Sequence, residues 1–238
     1  MPRFFIDDMV IGNVYSVVGE DALHISKSLR MREGETLTIC SGNKTDYLCE
    51  ITGMFGDTVE LRVVSSKPND TESAVRIHLF QCIPKGDKFD SIVQKAVELG
   101  AVSITPVLSS RCVSRPDKKG MDKKIVRYQK IAKHAAEQSG RGIIPEIRPL
   151  MSFDDAVRQS GTILLFYENA TENLSELDVV TDRDINIFIG SEGGFSKEEV
   201  GLAKEYGAYI LSLGKRILRT ETAPIAALAA LMYKFGEI

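Results

Sequence analysis

The sequence of 238 residues holds no tryptophan, three histidines and four cysteines. The histidines (His24, His78 and His134) are dispersed, and no two of Cys40, Cys49, Cys82 and Cys112 form a C-x-x-C pair. Zinc sites need Cys and His at short spacing, so no metal is expected. Scattered thiols are expected to be free, the default for a cytosolic chain. Spacing singles out no Ser-His-Asp or Cys-His arrangement, and His78, set in an apolar run, reads as a satisfied strand residue. No apolar run approaches the roughly 20 residues that span a bilayer, and the start from Met1 to Asp8 lacks the basic and apolar regions of a signal peptide. A cytoplasmic protein with no membrane partner is expected. Two glycine motifs are also missing. Without G-x-x-x-x-G-K-[ST] a P-loop nucleotidase is disfavoured, and without G-x-G-x-x-G a standard dinucleotide site is unsupported.

Composition is otherwise ordinary for a globular chain, with 43% apolar and 26% charged residues. The net charge is −3, yet nine basic residues stand between Arg111 and Lys133 against only Asp117 and Asp122, a local net of +7. Arg111 and Arg115 open this run. A smaller basic group comprises Lys27, Arg30 and Arg32, with Arg3 near it in sequence. Such runs are commonly solvated faces. In an acidic chain they also point to an anionic partner.

Residues 1 to about 66 read as short strands, over 36–40, 47–51 and 58–64, with turn signals at Gly34, Gly42-Asn43 and Gly56-Asp57. A small β-barrel is expected, interrupted over 24–32 by a short helix and a basic loop. The polar stretch 67–73 breaks the pattern and marks the boundary between domains 1–68 and 74–238. Beyond it strands (74–83, 102–107, 162–167, 185–189 and 208–213) alternate with helical periodicities (87–99, 122–138 and 152–158). That alternation predicts an α/β domain with a mostly parallel sheet. The final helix, from Ala223 to Tyr233, is almost continuously apolar and must be covered by the domain or by a second subunit.

Two glycine-bearing loops lie in the last fifth of the chain, each between a buried strand and a helix. The first is Gly190-Ser-Glu-Gly-Gly-Phe195, with Ser196 and Glu199 fitting a capping box. The second is Leu213-Gly-Lys-Arg-Ile-Leu-Arg-Thr-Glu-Thr-Ala-Pro224, with Thr222 as an N-cap and Pro224 in the first turn. Spacing alone allows ordinary turns. It also allows a ligand held by backbone groups at the carboxyl ends of strands, and an adenosine-containing cofactor suits such a pocket.

These two motifs resemble the SPOUT methyltransferase signature, and more narrowly the RsmE family, which methylates N3 of a uridine in 16S rRNA of the small ribosomal subunit. The likeness includes Met1-Pro-Arg-Phe-Phe5, Leu29-Arg-Met-Arg-Glu-Gly34, Lys95-Ala-Val-Glu-Leu-Gly100 and Ala136-Glu-Gln-Ser-Gly-Arg141, in the same order. It implies an N-terminal PUA-like β-barrel that binds RNA, an α/β domain with a deep trefoil knot, a homodimer, and S-adenosyl-L-methionine as methyl donor. Periodicity would not have proposed a knot, because true knots are almost absent from proteins.

The resemblance places the cofactor among three loops: Phe166 and Tyr167; Ile189, Gly190, Glu192, Gly193 and Gly194; and Leu213, Gly214, Ile217 and Leu218. Arg219 is expected to orient the uridine and stabilise the anion formed when its N3 proton leaves. The general base stays unassigned; Glu192 and Glu221 fit loop capping or a structural ion pair as well as catalysis. The RNA phosphates are expected to meet Arg3, Lys27, Arg30, Arg32, Arg111, Arg115 and Arg141, with the target base unpaired or flipped.

Overall fold

The computed structural model describes residues 1–6, 13–41, 44–177 and 184–238. The chain forms two compact units, Met1–Glu72 with Ala136–Ile144, and Ser73–Ala135 with Pro145–Ile238. The return of 136–144 to the first unit has no signature in the sequence.

The first unit contains β1 (Arg3–Phe5), β2 (Val14–Val18), α1 (Glu20–Leu23) running into a π-helical turn (His24–Ser28), β3 (Thr36–Cys40), β4 (Thr45–Phe55) and β5 (Thr58–Pro68). The strands pair in the order β1-β3-β4-β5-β2. The sheet curls, because Phe4 from one edge strand and Val17 from the other share a buried cluster with Leu37, Ile39, Ile51 and Leu61. Alternation produces this: in β5, Val59 and Leu61 point inward while Glu60 and Arg62 point out. The expected strands are present, with β1 and β2 in addition. The turn expected at Gly42-Asn43 lies outside the described residues.

The second unit contains β6 (Ile77–Cys82), α2 (Lys88–Glu98), β7 (Ser103–Leu108), α3 (Lys118–Ser139, its last residues in the first unit), β8 (Glu146–Ile147), β9 (Met151–Ser152), α4 (Phe153–Ala156), β10 (Thr162–Phe166), β11 (Glu172–Asn173), β12 (Ile185–Ile189), α5 (Lys197–Glu205), β13 (Tyr209–Ser212) and α6 (Ala223–Lys234). The sheet order is β11-β13-β10-β12-β6-β7-β8, and the described ladders are all parallel. Parallel strands covered on both faces read as unbroken apolar runs; β6 and β12 are buried at every position. Phe80 and Phe188, paired across β6 and β12, stack with ring centroids 4.6 Å apart.

The helix ends follow local chemistry. Ser196 accepts from the Glu199 amide while the Glu199 carboxylate accepts from the Ser196 amide, so the expected capping box starts α5. Thr222 holds the N-cap position of α6 but makes no capping hydrogen bond, because it has already turned into helical geometry (φ −90°, ψ −36°). The helix expected from 122 begins at Lys118, where the Asp117 carboxylate accepts from the Gly120 amide.

Candidate active site

In the second unit β10, β12 and β13 lie side by side and parallel, so the loops that follow them gather at one end of the sheet. They enclose a cavity of about 470 Å3. Phe166 and Tyr167 line it from the first loop; Ile189, Gly190, Glu192, Gly193 and Gly194 from the second; Leu213, Gly214, Ile217 and Leu218 from the third, together with Arg219. The eleven residues expected around the cofactor and the expected uridine contact thus share one cavity. Arg219 is solvent-exposed, and Ile217 is 84% exposed.

Two glycines mark where the second loop has little room for a side chain. A Cβ on Gly190 would lie 3.0 Å from the Cα and 3.1 Å from the carbonyl carbon of Gly194. Gly194 itself has φ +63°, a conformation L-residues rarely adopt, and a Cβ there would lie 2.9 Å from both carboxylate oxygens of Glu168. The loop is also pinned from behind. The Thr220 hydroxyl donates to the Gly190 carbonyl (2.7 Å) and accepts from Gln81 Nε2 (3.1 Å). Arg111 donates to the Gly193 carbonyl (3.0 Å), and Ser191 donates to the Arg111 carbonyl (3.4 Å).

Two carboxylates suspected of ion pairing do pair. Lys88 Nζ lies 3.1 Å from Glu192 Oε1 and 3.0 Å from Glu221 Oε2, so one ammonium joins the second and third loops. Those carboxylates raise the Lys88 pKa, Glu221 most. Burial pushes Glu192 up, but its own backbone amide, Lys88 and the Lys85 amide outweigh burial and hold it below the usual carboxylate range. The backbone amide of Glu221, with Lys88, does the same for Glu221 against a smaller burial effect. Both stay ionised and committed to Lys88, which makes them poor proton acceptors.

The expected phosphate contacts divide. Lys27, Arg30 and Arg32 are exposed on the first unit, and Arg30 projects from a left-handed backbone (φ 54°). Arg115, also exposed, donates to the carbonyls of Ser109 and Ser110 (3.1 and 2.9 Å). Arg3 and Arg141 are instead paired and mostly buried. Arg3 pairs with Asp46 and donates to the Arg141 carbonyl, leaving its side chain only 10% exposed. Arg141 is clasped by Glu72 (2.6 Å) with both side chains buried. Each guanidinium is thus held by a carboxylate within the first unit.

Sequence reasoning missed Lys88, Gln81, Thr220 and Glu168. Their signals are tertiary: each acts on a segment distant in sequence. It also missed a Ser103–His78–Asp184 array running from the buried serine and imidazole to the half-exposed Asp184, in which His78 Nδ1 lies 2.7 Å from Ser103 Oγ and Nε2 lies 3.1 Å, poorly aligned, from Asp184 Oδ2. His78 and Ser103 are both buried, as the strand reading of His78 requires, and no substrate could reach the serine. The four cysteines are free and buried. No described helix is long and apolar enough to cross a membrane, and no described cluster of His, Cys, Asp and Glu could hold a metal.

Comparison with known proteins agrees with this geometry. An RNA methyltransferase domain model matches residues 71–232, and an RNA methyltransferase PUA domain model matches 19–64. The chain is 32% identical to ribosomal RNA small subunit methyltransferase E of Bacillus subtilis, over 98% of this chain and 97% of the relative. It is 34% identical to the enzyme of that name from Buchnera aphidicola subsp. Schizaphis graminum, over 100% and 98%. A crystal structure of ribosomal RNA small subunit methyltransferase E from Neisseria gonorrhoeae, bound to S-adenosyl methionine, superposes with a TM-score of 0.91 at 33% identity, covering 98% of each chain. The fold is therefore the SPOUT-type trefoil-knotted α/β domain with an N-terminal PUA-like unit, as the resemblance implied. With both domain models matched in order and full-length relatives above 30% identity, this chain belongs to the RsmE family of ribosomal RNA small subunit methyltransferases.

Proposed function

We propose that the chain transfers a methyl group from S-adenosyl-L-methionine to N3 of one uridine in 16S rRNA of the small ribosomal subunit. The observation that carries this reading is the single cavity framed by all three loops, with Arg219 on its wall. The cofactor fits the residues present. The cavity is walled by backbone at Gly190 and Gly194, where a Cβ would collide, and apolar Phe166, Ile189 and Leu218 suit an adenine. The loops at 166–167, 189–194 and 213–218 hold it, and it supplies an electrophilic methyl group.

The protein's own part is positioning and charge. Arg219 orients the uracil and stabilises the negative charge left on its oxygens as the N3 proton departs. Lys88 holds Glu192 and Glu221 together, fixing the second loop against the third. Phosphates meet Lys27, Arg30 and Arg32 of the RNA-binding domain (1–68), and Arg111 and Arg115 of the methyltransferase domain (74–238).

The active species is a cytoplasmic homodimer. One face of α6 carries Ile225, Ala226, Ala229, Ala230 and Tyr233, none of them buried, and Tyr233 is 77% exposed. A small-residue apolar face of this kind suits a second copy of the chain. Incubation with labelled cofactor and small subunits lacking the modification should label 16S rRNA and leave tRNA unlabelled. Label on tRNA alone would replace this substrate with another RNA.

A further inference from the structure

We propose that Glu168 is the cavity's cofactor-recognition carboxylate, engaging a cationic group of the methyl donor. This rests on the preceding reading that the cavity takes S-adenosylmethionine. Of the two glutamates on the cavity wall, Glu192 is committed to Lys88. Glu168 follows β10 directly and has no hydrogen bond or ion pair among the described residues. It has not paired with Lys215, Arg216 or Arg219, which line the same cavity.

The position of Glu168 is also specific. Both of its oxygens would lie 2.9 Å from a Cβ on Gly194, so the carboxylate rests over the bare Cα of the glycine loop. That is the wall on which any side chain other than glycine would displace it. A carboxylate so placed meets a ligand directly, and its charge favours a cation there. S-adenosylmethionine offers two cations, the sulfonium and the α-ammonium. Its product S-adenosylhomocysteine keeps only the ammonium, and 5′-methylthioadenosine has neither. Engagement of the sulfonium would also favour donor over spent product and speed exchange after each turnover.

Calorimetry on full-length wild type, Glu168→Gln and Glu168→Asp with these three ligands separates the sources. Glu168→Gln should weaken S-adenosylmethionine binding roughly two- to fivefold and leave 5′-methylthioadenosine unchanged, with Glu168→Asp restoring part of the loss. An equal loss for S-adenosylhomocysteine assigns the contact to the ammonium; no loss for it assigns the sulfonium. Either result supports the proposal. Unchanged S-adenosylmethionine affinity overturns it, as does an equal loss for 5′-methylthioadenosine, which would mean an uncharged contact to the nucleoside. If wild type binds none of the three, the cofactor reading itself is what fails.

Discussion

Thr220 donates its hydroxyl proton to the carbonyl of Gly190 at 2.7 Å, joining the third loop of the cavity to the second. The same oxygen accepts from Gln81, whose side chain is fully buried in β6. Three segments distant in sequence thus meet in one buried hydrogen-bonded chain beneath the cavity. Thr220→Val keeps the shape and removes both bonds. Gln81 keeps its bond to the Cys82 carbonyl (3.0 Å) and the Gly190 carbonyl keeps only a long one from Gln81 (3.5 Å), so the loss is about 1–3 kcal/mol in all. Urea unfolding should report that loss, and calorimetry should show weaker S-adenosylmethionine binding as the two loops part.

Gly190→Ala should remove cofactor binding with the fold retained. Its Cβ meets backbone atoms of Gly194 at 3.0 and 3.1 Å, and backbone cannot swing aside as a flexible side chain can. Gly194→Ala meets only the movable Glu168 carboxylate but must hold φ +63°, so it should bind weakly rather than not at all. Circular dichroism alongside calorimetry checks both.

Arg219→Gln should lower kcat by roughly a hundredfold or more, the scale seen when a preorganised donor to a developing oxyanion is removed. Affinity for S-adenosylmethionine should stay within about twofold, because the cofactor is held mainly by backbone. Single-turnover kinetics with saturating RNA separates the two quantities.

The cations of the first unit should divide by burial. Reversing the exposed Arg30 and Arg32 to glutamate should weaken RNA binding and flatten its salt dependence, while cofactor affinity holds. Arg141→Met should act on stability instead. It strands the buried Glu72 carboxylate, a loss of about 3–5 kcal/mol, and Glu72 also accepts from the Gly142 amide (2.9 Å). Filter binding across salt concentrations and urea midpoints distinguish the two outcomes.

Acid should destabilise the second unit through His78. Burial lowers its pKa, with Arg148 adding to the effect and the nearby Asp184 carboxylate opposing it. The folded protein therefore holds the neutral imidazole more firmly than the unfolded chain does. The stabilisation is complete above the unfolded value of about 6.5 and is lost as pH falls through the lower folded value. The urea midpoint should drop between pH 7.5 and 5.5, and His78→Gln should flatten that slope.

Much of the fold is legible in the sequence because its signals are local. The apolar runs of β6 and β12, the capping box at Ser196 and Glu199, and the stop at Gly100 (φ +86°) depend on neighbouring residues. The two glycine loops are legible for the same reason, since each follows its own strand, while the three-loop arrangement of the cavity comes from the family resemblance. What was not legible depends on which segments meet. Arg141 looks like a surface cation until Glu72, 69 residues away, closes on it. Lys88 reads as a helix N-terminal residue until the chain returns with Glu192 and Glu221. Thr222 looks like a cap, but its amide already bonds to the Arg219 carbonyl (2.8 Å) and its helical backbone turns its side chain to no capping bond.

The methylated nucleoside itself reports the reaction most directly. Small subunits lacking the modification, treated with the protein and S-adenosylmethionine, should yield 3-methyluridine on digestion and mass spectrometry of their 16S rRNA, at one site and in no reaction with the Arg219→Gln variant run to the same short time. A different methylated nucleoside, or none in 16S rRNA, would contradict the proposed reaction.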